Sequence, residues 1–92
     1  MSSKRSLKKE IHESMVALYT ECFFYKTFVI DADTAKADEL INEIEGVHMQ
    51  LSDKMNAGRK NAGENPKKYY AGVRTDLKQA VNELGGKLSK LA

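Results

Sequence analysis

From the amino terminus, apolar side chains recur at Leu7, Ile11, Met15, Leu18, Cys22, Tyr25 and Val29, at steps of four, four, three, four, three and four residues. An α-helix advances by about 100° per residue, so this spacing keeps all seven on one side. Val16, Tyr19, Phe23 and Ile30 widen that side to about half of the circumference. The pattern predicts a first helix over about 6–30. Phe24 and Phe28 fall on the remaining side, near Glu10 and Glu21, where a helix with two neighbours should meet water.

The run Ile30-Asp31-Ala32-Asp33-Thr34 follows, and Asp31, Asp33 or Thr34 can accept from the free backbone N–H groups of a second helix. Ala37, Leu40, Ile41, Ile44, Val47, Leu51 and Met55 then repeat at helical spacing and predict that helix over about 34–58. Gly46 interrupts it at a cost of about 1 kcal/mol relative to alanine, which suggests a close helix contact. Gly58 and Gly63 favour a turn within 56–65. Asn65-Pro66 is a strong start signal: asparagine caps free N–H groups, and proline lacks a donor where none is needed. Tyr70, Val73, Leu77, Val81, Leu84, Leu88 and Leu91 predict the third helix over about 66–91, with fraying, a bend or close packing expected at Gly85-Gly86.

Three helices of similar length with short connections imply an all-α fold, an antiparallel up-down-up three-helix bundle forming a single domain over residues 1–92. A chain of 92 residues has a thin core, so a second subunit is a natural source of further burial. The cluster Phe23, Phe24, Tyr25 and Phe28 offers more apolar surface than two neighbouring helices can cover. These four residues are the expected interface of a homodimer or higher homo-oligomer.

Charge is distributed unevenly. Residues 1–30 carry five Lys/Arg and three acids, residues 31–53 one and seven, and residues 54–92 nine and three, giving +2, −6 and +6. Either the last third meets an anionic partner or oppositely charged helices pair inside the domain. Cys22, the single cysteine, excludes an internal disulfide and fits a reducing, cytoplasmic setting as a buried thiol. The basic start followed by an apolar stretch has the outline of a signal peptide, but Glu13, Glu21 and Lys26 break it. Membrane association is not expected, because Glu10, Glu13 and Glu21 would face anionic lipid.

Glu45 and His48 share a helical face and are similar to the Glu-x-x-His unit of ferritin-like di-iron bundles, which the resemblance would complete with a second copy and further carboxylates such as Glu21. The likeness covers two residues, so Glu45 and His48 are read as a pair flanking the core, with no metal or cofactor assigned. His12-Glu13 has no nucleophile beside it, and no glycine-rich phosphate loop is present, so no catalytic residue is assigned. Arg59, Lys60, Lys67, Lys68 and Arg74, with Tyr69 and Tyr70 among them, suit phosphates and base stacking, and Lys4, Arg5, Lys8 and Lys9 would lie at the same end. A pI near 8.7 and an acidic second helix count against a dedicated nucleic-acid binder. The leading expectation is a non-enzymatic structural or protein-interaction module, with an unidentified protein partner, that self-associates through its first helix. The alternative is a small nucleic-acid-binding protein using the second turn and the N-terminal arm.

Overall fold

A computed structural model of the chain describes residues 4–58 and 65–91. Within them lie three helices and no strand: α1 over Lys4–Phe28, α2 over Thr34–Asn56 and α3 over Pro66–Leu91. The fold is all-α.

Each boundary has a local cause. Helical hydrogen bonding in α1 runs out at the Val29 N–H, which donates to the Tyr25 carbonyl at 3.2 Å. Asp31 then turns the chain with a φ of 60°, a left-handed conformation that aspartate tolerates better than most residues. Thus α1 ends two residues before the predicted limit, and Val29 and Ile30 belong to the turn, 46% and 89% exposed, instead of extending the buried stripe. Asp33 caps α2, its carboxylate accepting from the Lys36 N–H at 3.1 Å, and Asn65 caps α3 by accepting from the Lys68 N–H at the same distance.

One hydrophobic cluster draws on all three helices. It holds Leu7, Ile11, Met15, Leu18 and Cys22 from α1, Leu40, Ile41, Ile44, Leu51 and Met55 from α2, and Val73, Leu77 and Leu84 from α3. Tyr19, Val47, Tyr69, Tyr70, Val81, Leu88 and Leu91 pack around its edge. Every fully buried residue among those described is apolar, although Arg74 Nε on α3 is shielded from water without a hydrogen-bond partner among them.

Polar contacts tie the helices along their lengths. Lys26 meets Asp38 at 2.5 Å near the turn, and the Tyr19 hydroxyl donates to Glu45 at 2.8 Å farther along α1 and α2. From α3, Asp76 accepts from Lys54 at 2.7 Å, Lys87 pairs with Glu43, and Arg74 reaches Glu10 of α1 at 3.1 Å.

The helical glycines behave otherwise than the sequence suggested. A Cβ added to Gly46, Gly85 or Gly86 would have nothing within 4 Å, so none of them marks a close contact. Continuous helix runs through Gly85-Gly86 to Leu91 because Leu84 is buried, Leu88 and Leu91 pack on the core, and Lys87 is paired. Tertiary anchoring there outweighs the helix propensity of two glycines.

Candidate self-association face

On the outer side of α1, Val16, Thr20, Phe24 and Phe28 follow one another at four-residue intervals, with Tyr19, Phe23 and Thr27 on the adjoining row. Tyr19, Thr20, Phe23, Phe24, Thr27 and Phe28 line an open groove of about 500 Å³ that contains no charged side chain. Two aromatic pairs shape it. The Tyr19 and Phe23 rings lie 6.1 Å apart at 27°, and those of Phe24 and Phe28 lie 5.7 Å apart at 39°.

The polar groups on this surface are largely occupied. The Thr20 hydroxyl donates back to the Val16 carbonyl at 2.8 Å, which turns the side chain's hydrogen-bonding capacity away from the groove. The Tyr19 hydroxyl is held by Glu45, and this hydrogen bond, followed by desolvation, raises the phenol above its ordinary value. Phe23, Phe24 and Phe28 are 53%, 56% and 72% exposed. With about 200 Å² per fully exposed aromatic side chain, these three leave on the order of 350 Å² uncovered, within the range of the largest apolar patches on monomeric proteins. Val16, on the same four-residue row as Phe24 and Phe28, and Val29 and Ile30 in the turn after α1 are also exposed.

Tyr25 does not belong to this face. Its side chain is only 9% exposed, and its hydroxyl accepts the Asp33 backbone N–H at 2.8 Å, so it fastens the end of α1 to the start of α2. One residue of register separates it from Phe24, enough on a helix to exchange solvent for core. The sequence pattern passed over Thr20 and Thr27, whose formal polarity conceals their place beside Phe23, Phe24 and Phe28. Their four-residue spacing from Val16 and Phe23 was the available signal.

The other sequence-derived sites are dispersed or engaged. Arg59 and Lys60 lie outside the described residues. Lys67 and Lys68 are exposed in the first turn of α3, whereas Arg74 is held by Glu10. The Tyr69 hydroxyl donates to the Lys54 carbonyl at 2.8 Å, and its ring meets Tyr70 edge-on at 5.4 Å, so both rings serve the interior junction instead of standing free for base stacking. Lys4 lies 6.0 Å above the Tyr70 ring. Cys22 is fully buried, and desolvation, followed by the Glu21 charge, pushes its thiol up. Glu45 turns to Tyr19, while His48 meets the ring of His12, a pairing that local sequence spacing had no means of showing.

Among the described residues, no helix is long and apolar enough to cross a membrane. No protein-family model, curated protein or solved structure matches the chain.

Proposed function

We propose that this chain is a non-enzymatic interaction module, an up-down-up helical bundle that self-associates through the outer face of α1. The carrying observation is the contiguous, uncharged aromatic surface of Phe23, Phe24 and Phe28, each more than half exposed. The order of contacts from Lys26–Asp38 to His12–His48, and from Lys54–Asp76 to Glu43–Lys87, supports the alternating helix directions. A pair of such faces would bury on the order of 350 Å² of aromatic surface from each partner, and the flanking side chains would have to supply the rest of the about 800 Å² of a standard interface. Isologous packing about a two-fold axis lets one patch cover its own copy. The buried, unpaired Cys22 supports a cytoplasmic setting.

Sedimentation equilibrium tests this reading. The wild type should approach twice the 10.3 kDa chain mass as concentration rises, and Phe24→Glu/Phe28→Glu should give a folded, helical monomer. A wild type that stays at the chain mass at the highest attainable concentration would refute self-association. Nucleic-acid binding through the second turn and the N-terminal arm is the weaker reading, because Arg74, Tyr69 and Tyr70 are committed within the fold, although Lys67 and Lys68, with Lys4, Arg5, Lys8 and Lys9 of the arm, are exposed.

A further inference from the structure

The chain contains two histidines, and the fold brings them together. His12 of α1 and His48 of α2 lie 36 positions apart in sequence, yet their ring centres are 5.8 Å apart and their planes are inclined by 52°. They line a recess of about 270 Å³ between the two helices. Ser52 and Asn56 continue the His48 row at four-residue intervals, while Ile11 and Met55, 2% and 0% exposed, supply its apolar side. Lys8, one turn before His12, contributes the remaining polar group.

The ring separation has a specific chemical meaning. Imidazole nitrogen binds zinc at about 2.0–2.1 Å, which places each ring centre about 3.2 Å from the ion. Two such rings have centres about 5.2 to 5.8 Å apart when the N–metal–N angle lies between about 109° and 130°. The observed 5.8 Å matches the wide end of that interval, so ring rotation brings the two nitrogens to one ion and a fully tetrahedral angle draws the ring centres about 0.6 Å closer.

We propose that His12 and His48 form a two-imidazole clip for a divalent transition cation that accepts nitrogen ligands at a wide, near-tetrahedral angle, Zn²⁺, joining α1 to α2. The square or octahedral angle near 90° of Ni²⁺ and Cu²⁺ would need ring centres about 4.5 Å apart. Magnesium and calcium are disfavoured because they select oxygen ligands. No group of three or more His, Cys, Asp and Glu suited to a metal occurs among the described residues. Glu45, the nearest carboxylate to His48 on its own face, is engaged by Tyr19. The clip is therefore open, with its other positions taken by water or by the oxygens of Ser52 and Asn56. This arrangement differs from the Glu45-x-x-His48 unit suggested by the sequence, since its second ligand comes from another helix.

The test uses the full chain after dialysis against a chelator. Calorimetric titration with ZnCl₂ should give one ion per chain, NiCl₂ should bind more weakly, and the melting midpoint should rise with zinc concentration. His12→Gln and His48→Gln should each weaken binding by about tenfold or more, because either change removes the chelate. Lys8→Ala should leave affinity equal or improved. Circular dichroism establishes that each variant is folded. In the wild type, the ring proton resonances of both histidines should shift together on addition of Zn²⁺ up to one equivalent. Binding unaffected by either substitution, one ion per two chains, or no binding at millimolar metal would overturn the clip. Stabilisation by inorganic phosphate without any by metal would do the same and identify the recess as an anion pocket built on Lys8.

Discussion

The same substitution, glycine to alanine, should change stability with opposite sign at two places in this chain. At Gly46, inside α2, the added methyl group would have no atom within 4 Å, so the backbone entropy recovered in the unfolded state is not offset by a clash. The gain should be about 1 kcal/mol, which for a domain of this size raises the melting midpoint by about 4–8 °C. At Gly58, beyond the end of α2, a Cβ would stand 2.7 Å from Tyr70 Cζ and still closer to the hydroxyl oxygen. The Tyr70 ring is restrained by the edge of Tyr69 and by the core beneath it, so it has little freedom to withdraw. Gly58→Ala should cost about 1–3 kcal/mol, the usual range for overpacking. Urea denaturation followed by circular dichroism, at several protein concentrations, measures both effects. A lower midpoint for Gly46→Ala would refute the reasoning, and if that loss grew with protein concentration it would place the second copy against α2 instead of α1. A neutral Gly58→Ala would show that the Tyr70 ring is free to move.

Two further outcomes follow from individual side chains. Burial raises the Cys22 thiol and shields it from reagents, so its modification by a disulfide reagent should be slow in native protein and rapid in denaturant; fast native labelling would contradict the packed interior around it. The raised Tyr19 phenol implies a contribution to stability that is present below the ordinary tyrosine value near 10 and is lost as pH rises through the higher folded value. Glu45→Ala, which deletes the acceptor, should move the Tyr19 titration back toward 10, followed by ring proton shifts, and an unchanged titration would remove the hydrogen bond as its cause.

Much of this architecture is legible in the order of side chains. The three apolar stripes place Leu7, Ile11, Met15, Leu18 and Cys22, then Leu40, Ile41, Ile44, Leu51 and Met55, then Val73, Leu77 and Leu84 where the core lies, because helical periodicity alone decides which side turns inward. Asp33 and Asn65 are legible as caps because their side chains supply acceptors where backbone donors lack them. The losses occur where a residue's fate depends on another helix. Tyr25 looks like a neighbour of Phe24 until Asp33 appears beside its hydroxyl, and Gly46 looks like a packing site until no neighbour is found there. His12 and His48 are unremarkable separately, and only the alignment of α1 against α2 gives them a common chemistry.

The uneven charge along the chain is partly met inside the fold, whereas the aromatic face of α1 is not covered by the other described helices. Segment charges of +2, −6 and +6 admit either an external anion or internal pairing. Three of the interhelical pairs have their acidic or basic member on α2: Asp38 with Lys26, Glu43 with Lys87, and Lys54 with Asp76. A fourth, Glu10 with Arg74, joins the two basic helices directly. Exposed pairs of this kind contribute little to stability singly, and their main effect is to favour one alignment of the helices over its alternatives. Asp38 and Glu43 thus engage Lys26 and Lys87 inside the fold, whereas Lys54–Asp76 runs against the asymmetry, so internal pairing takes up only part of it. Among the described residues no other helix covers Phe24 and Phe28, because the interior side of α1 is already filled by Leu7 through Tyr25. A helix between two neighbours can bury one broad side, and α1 carries apolar residues on more than one. That surplus, and not the net charge, is what supports the proposed self-association.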